Sequence, residues 1–150
     1  MKTIRNILKE KGNAIYSIGP KTKIIDALKK MAEKNIGAIL VIENDKILGI
    51  FSERDYARKS YQSESFSLEN YVEDFMSKEI VTISQEGDIF ECMSIMTKRK
   101  IRHLPVLDEN KIIGIVSIGD IVNSIIHHQE ATIKDLEKYI TGGYVNIESI

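Results

Sequence analysis

Tryptophan is absent from this 150-residue chain, cysteine occurs once, proline twice, and aromatic residues make up only 7% of it. A single cysteine, Cys92, excludes an internal disulfide framework and fits a reducing compartment. No apolar run approaches the roughly 18–20 residues that a membrane-spanning helix needs, so no membrane association is expected. The charges of Met1-Lys2-Thr3-Ile4-Arg5-Asn6 are followed by no apolar stretch of signal-peptide type, and a cytoplasmic setting is expected. The net charge of −1 lacks the excess of one sign that would coat a polyanion. It hides an asymmetry: residues 1–65 carry 13 Lys and Arg against 8 Asp and Glu, whereas residues 66–150 carry 8 against 14. With 43% hydrophobic and 29% charged residues and no low-complexity stretch, disorder, collagen and coiled coil fit poorly as the class of the whole chain. A chain of this length can bury about 68–70% of its unfolded surface, so its core needs no disulfide or metal.

What the chain does contain is itself, twice. Adding 65 to a residue number returns the same residue type at Ile18/Ile83, Ile24/Ile89, Met31/Met96, Ile36/Ile101, Val41/Val106, Gly49/Gly114, Ser52/Ser117 and Asp55/Asp120, with no gap. Matches on Gly, Ser and Asp go beyond what amphipathic periodicity alone would produce. In each copy a short β-type run (Ala14–Ile18; Ile80–Ile83) ends in a turn. Apolar residues at helical spacing follow (Ile24, Leu28, Met31; Ile89, Met93, Met96). Two short strands around a polar turn come next (Ala38–Ile42 and Ile47–Phe51; Leu104–Leu107 and Ile112–Val116), then a helix starting near Ser52 or Ser117. The expected fold class is α/β (α+β), two tandem β-α-β-β-α repeats packed sheet to sheet with pseudo-two-fold symmetry, because neither half can bury a full core alone.

Three segments lie outside the repeats: an amphipathic helix at Thr3–Lys11, a connector at Tyr61–Ser77 containing a short helix, and a helical stretch at Val122–Ile140. The last packs back on the module or against a second subunit, and both options stay open. The expected units are 1–62 with the N-terminal helix, 63–125 with the linker helix, and 126–150 as a C-terminal helix and tail.

The candidate chemistry sits in two in-register phrases, Gly49-Ile50-Phe51-Ser52-Glu53-Arg54-Asp55 and Gly114-Ile115-Val116-Ser117-Ile118-Gly119-Asp120. Each places Ser at a strand-to-helix junction with Asp three residues on. A helix start offers free N–H groups to phosphate, and a carboxylate there can accept from both hydroxyls of a ribose. Ser-x-x-Asp also resembles a capping box, which stabilises by around 1 kcal/mol without any ligand. Two copies in register, each directly after a Gly-apolar-apolar strand, tip the reading toward a ligand.

The duplicated unit with these two phrases resembles a pair of cystathionine β-synthase (CBS) domains, a Bateman module of the small stand-alone bacterial or organellar type. Lys100-Ile101-Arg102-His103-Leu104-Pro105-Val106 and the tail Tyr139-Ile140-Thr141-Gly142-Gly143-Tyr144 are similar to phrases of that family. The resemblance implies a non-catalytic regulatory module that binds an adenine nucleoside or nucleotide (AMP, ADP, ATP, NAD(H) or S-adenosylmethionine) in two shared clefts. Carried over by position, one cleft joins Ser52, Arg54 and Asp55, with Arg58 nearby, to Val81, Thr82, Ile83, Arg102, His103 and Pro105. The other joins Ser117, Ile118, Gly119 and Asp120 to Ile15, Tyr16, Ser17, Thr22, Gly37, Ala38 and Ile39. Gly37 and Ala38 stand where the first cleft has Arg102 and His103, so the second cleft lacks a basic pair.

Plainer roles compete residue by residue. Arg58 can pair with Asp55 along the helix, and Tyr16 suits an adenine stack or the core equally. Lys98-Arg99-Lys100 suits a helix C-terminus. His127-His128 with Glu130 does not converge on a metal, and Cys92 fits a buried inert thiol. The family implies a homodimer, for which the apolar faces of Thr3–Lys11 and Val122–Ile140 offer surface, and a regulated protein partner. No phosphate-cradling Gly-rich motif or nucleophile–base set marks an enzyme. The alternative is an assembly or nucleic-acid-contacting module with vestigial clefts, although a pI near 6.3 and the lack of an extended basic stripe disfavour nucleic acid.

Overall fold

Helix α1 (Ile4–Lys11) begins where Thr3 Oγ1 accepts from the Asn6 N–H at 3.4 Å while Asn6 Oδ1 accepts from the Thr3 N–H at 2.9 Å. Such a reciprocal cap satisfies two amides that a helix start otherwise leaves open. The computed structural model describes residues 2–143. The chain continues through β1 (Ser17–Ile18), α2 (Ile24–Lys34), β2 (Ala38–Glu43), β3 (Lys46–Ser52) and α3 (Glu53–Gln62), then a 3-10 turn at Val72–Asp74. The second copy supplies β4 (Ile83–Ser84), α4 (Ile89–Arg99), β5 (His103–Asp108), β6 (Lys111–Ser117) and α5 (Ile118–Gly143). Five helices and two three-stranded sheets make a mixed α/β fold, as the repeat grammar predicts. Among the described residues no helix is long and apolar enough to cross a membrane.

Each sheet is ordered with the first strand parallel to the second and the second antiparallel to the third. The hairpins close on two-residue turns, Asn44-Asp45 and Glu109-Asn110, with φ of 52°, 61°, 48° and 66°. Those positive values match the strand twist that tight hairpins require, and Asn and Asp tolerate them better than most residues. Asn35 (φ 53°) and Lys100 (φ 54°) end α2 and α4 in the same left-handed conformation. The initial strands are shorter than the apolar runs imply: β1 keeps only Ser17 and Ile18 of Ala14–Ile18, and β4 starts at Ile83.

The fold divides into two compact units. One is Ala14–Thr82; the other comprises the described residues of Met1–Asn13 and Ile83–Ile150. The chain therefore does not divide at 62/63: α1 belongs with the second copy, and residues 63–82 stay with the first. In the Ala14–Thr82 unit, Phe51, Met31, Ile24 and Ile39 are fully buried, joined by Val72, Phe75 and Met76 from the connector. Phe66 meets the Phe75 ring edge-on at 5.3 Å. Burying a side chain of this size stabilises by about 1.5–3 kcal/mol.

In the other unit α1 closes the core instead, with Ile4, Ile7 and Leu8 all buried. Its apolar face is thus spent inside its own unit and is not the free docking surface the sequence suggests. The two closing segments are equivalent at an offset of 68, not 65. The Ile4 N–H donates to Gly87 O at 2.9 Å, as the Val72 N–H donates to Thr22 O at 2.8 Å. Leu8 lies against Gly114, and Met76 with the Ser77 carbonyl lies against Gly49. Arg5 pairs with Glu86, while at the equivalent places Glu73 pairs with Lys21, the signs exchanged.

Candidate functional site

Ser52 ends β3 opposite Ala38, and Ser117 ends β6 opposite His103. The helix that follows is anchored back on the sheet alike in both copies: the Glu53 N–H donates to Gly37 O at 3.0 Å, and the Ile118 N–H to Arg102 O at 2.8 Å. At the first junction Ser52 Oγ accepts from the Asp55 N–H at 3.0 Å. Asp55 Oδ2 accepts in return from the Ser52 N–H (3.2 Å) and hydroxyl (3.0 Å). At the second, Ser117 Oγ accepts from the Asp120 N–H at 3.2 Å, and Asp120 Oδ2 accepts from the Ser117 N–H at 2.8 Å. Both Ser-x-x-Asp phrases are therefore capping boxes in fact. In each, the cap occupies Oδ2.

The surroundings differ. Lys11, at the end of α1, places its ammonium 2.6 Å from Asp120 Oδ2 and 2.7 Å from the Ile115 carbonyl. At the first junction Arg58, one turn beyond Asp55, is exposed. His103 stands over the second junction, where burial pushes its pKa down; the Asp120 carboxylate opposes this, and the Lys11 and Arg102 charges add to it. Lys11, His103, Ser117 and Asp120 thus form one polar cluster within one unit. Lys11 is the member that sequence reasoning missed, because it lies 109 positions from Asp120 and outside both repeats.

The remaining predicted site residues separate by burial. Arg54, Val81, Thr82, Ser17, Gly37 and the two serines are half-buried, and Arg58, Arg102, Ile15, Ile118 and Gly119 are exposed. Ala38, Ile39, Ile83 and Pro105 are buried, so their side chains serve the core and only their main chain is left for a ligand. Thr22 uses its carbonyl to hold Val72. Tyr16 packs against the core of the Ala14–Thr82 unit, with Lys34 Nζ 5.3 Å from its ring centre, a cation–π geometry that holds it without any adenine. A groove of about 630 Å³ in the other unit is lined by Arg5, Leu8, Lys9, Gly12, Asn13, Gln85 and Ile113, none of them a predicted ligand residue. Cys92 is buried, and desolvation, with a smaller contribution from Glu91, pushes its thiol pKa to about 11. It is protonated at neutral pH and inert as a nucleophile. Among the described residues no cluster of His, Cys, Asp and Glu could hold a metal ion.

Comparison with known proteins agrees with the duplicated fold. The CBS domain family profile matches residues 4–61 and 72–127. The chain is 35% identical over 152 residues to the mitochondrial CBS domain-containing protein CBSX3 of Arabidopsis thaliana, covering 95% of this chain and 73% of that protein. A solved putative signal-transduction protein with CBS domains from Burkholderia ambifaria is 45% identical, with a TM-score of 0.82 over 85% of this chain and 96% of its own. The CBS domain pair of MJ0100, solved with 5-methylthioadenosine and S-adenosyl-L-methionine, shares the fold at 21% identity and a TM-score of 0.74, over 85% of this chain and 98% of that one. Two matched copies, together spanning most of the sequence, make the chain a member of the CBS-domain family.

Proposed function

We propose that this chain is a non-catalytic regulatory module that binds an adenine nucleoside or nucleotide through the two Ser-x-x-Asp junctions. Asp55 and Asp120 would hold the ribose hydroxyls. Arg54, Arg58 and Arg102 would supply guanidinium groups for phosphate, whose planar fork suits phosphate oxygens. Val81, Thr82 and the main chain of Ile83, with His103 and Pro105, are assigned to the ligand of Asp55. Ile15, Tyr16, Ser17, Thr22, Gly37, Ala38 and Ile39, with Ser117, Ile118 and Gly119, are assigned to that of Asp120. The observation that carries this reading is the repetition: both carboxylates sit in the first turn of a helix that starts directly after a strand, each capping through Oδ2. The adenosine ligands of the MJ0100 pair support the ligand class. Occupancy would act on a homodimer or a protein partner, shifting it only by the difference in affinity between two states. A reducing intracellular compartment suits the buried Cys92, and the cytoplasm is our assignment although the Arabidopsis relative is mitochondrial.

Isothermal titration with AMP, ATP, NAD(H) and S-adenosylmethionine tests the proposal, on the parent and on Asp55→Asn and Asp120→Asn. Asparagine keeps a carbonyl for the cap and removes the charge. Ligand at 100 times its dissociation constant should also stabilise by about 2.7 kcal/mol, visible as a thermal shift. Binding that survives unchanged in both variants removes the site assignment. The competing reading, assembly with vestigial clefts, draws on the finding that capping already employs both aspartates. A firm dimer with no response to any adenine ligand would select it.

A further inference from the structure

Residues 118–125 of α5 pack on their own unit, with Ile121 and Ser124 buried. From Ile126 through Thr141 every residue is exposed on every side. A single helix of this length is marginal in water, and this stretch holds β-branched Ile126, Thr132, Ile133, Ile140 and Thr141, which lower helix propensity further. Its apolar side chains are nevertheless ordered. Ile126, Ile133 and Ile140 recur every seven residues, and Val122, Gln129 and Leu136 fill the alternate seam positions; the five apolar members are 45–56% exposed. Isoleucine at the first core position of a heptad with leucine at the fourth favours a two-stranded parallel coiled coil. At 100° per residue this seam points away from the face that carries Ile121 and Ser124, so two copies can meet along it with their own units outside.

We propose that the distal half of α5 pairs with the same helix of a second copy as a short, parallel, in-register coiled coil. Charge selects the direction. Glu130 and Glu137 flank the seam. In a parallel pair Glu130 faces Ile125 and Glu137 faces Thr132 of the other chain, whereas an antiparallel pair sets the flanks carrying the glutamates against each other. Gln129 meets its own copy in the parallel arrangement, where two amides can hydrogen-bond across the axis. This deepens the homodimer part of the proposed function and is independent of which ligand binds.

Sedimentation equilibrium of the full chain is the test. The parent should be a dimer, and Ile133→Asp/Leu136→Asp should weaken it by about 100-fold or more, two seam anchors being lost. Ala131→Asp, on the opposite face, should leave it unchanged. Ile140→Cys should form an intermolecular disulfide under mild oxidation only in the parallel register, since antiparallel pairing moves the two positions roughly 27 Å apart. The seam residues are exposed, so thermal unfolding of the units should match the parent. A monomeric parent at about 100 μM, a double variant as dimeric as the parent, or a dimer in which Ile140→Cys never cross-links would each overturn the inference. A seam-dependent dimer that binds no adenine ligand would instead remove the nucleotide reading and leave this one standing.

Discussion

Asp55 and Asp120 occupy the same place in two copies of one motif and make the same cap, yet Asp120 is held in addition by Lys11. The difference comes from outside the duplication. Each sheet is closed by a segment that is not part of the repeat, residues 71–77 for the first copy and α1 for the second. Those segments align in space but share little sequence: Met76 answers Leu8, Glu73 answers Arg5, and Lys11 has an acidic counterpart in Glu79. Duplication therefore reproduced the caps, and the closing segments made the two junctions chemically distinct. The exchanged signs of Arg5–Glu86 and Glu73–Lys21 also penalise docking either segment on the wrong copy, where like charges would meet.

The sharpest break of this comparison lies under the two glycines. A Cβ at Gly49 would come 2.6 Å from both Met76 Sδ and the Ser77 carbonyl, whereas one at Gly114 would meet the end of the Leu8 side chain, Cδ2 at 2.8 Å and Cδ1 at 3.3 Å. Backbone cannot step aside as a leucine methyl can. Gly49→Ala should cost about 2–3 kcal/mol and Gly114→Ala nearer 1 kcal/mol in urea unfolding, and equal costs would contradict the unequal packing.

Lys11→Met comes next. If Asp120 holds a ribose, freeing it from the ammonium should raise the affinity of that junction about tenfold in titration, while Asp55-dependent binding stays put. Stability should fall by less than about 1 kcal/mol, because the pair is partly exposed. A lower affinity would mean that Lys11 grips the ligand itself.

The hairpins offer a smaller test. Glu109 holds a positive φ of 48° where the first copy uses Asn44. Glu109→Asn should stabilise by about 0.5–1 kcal/mol, seen as a higher denaturation midpoint with unchanged slope.

The smallest effect concerns pH. His103 has a folded pKa below its unfolded value, so the unfolded chain binds more protons between the two. Stability should therefore be fully present above the unfolded value near 6.5 and decline as pH falls through the window beneath it. His103→Ala, which copies Ala38 of the first unit, should flatten that decline in thermal melts from pH 7 to 5.

Much of this was legible beforehand. The repeat, the helices from Ile24 and Ile89, both hairpins and both caps follow from periods of 3.6 and 2 and from where Ser and Asp stand. The first strands were overestimated because apolar Ala14–Tyr16 and Ile80–Thr82 look extended yet find no sheet partner. The partition of the units was not legible, since both connectors are short amphipathic segments that either copy could accept. Nor was the burial of Ile39 and Ile83, whose apolar side chains suit a ligand wall and a core equally.

By itself the amino-acid order determined the local elements and their duplication, because caps, turns and apolar periodicity act over a few residues. Only the tertiary structure decided that α1 closes the second copy, that Lys11 meets Asp120 across 109 positions, and that the helix beyond Ile125 is left wet on all sides. These are long-range pairings among chemically interchangeable amphipathic surfaces, and only packing in three dimensions chooses between them.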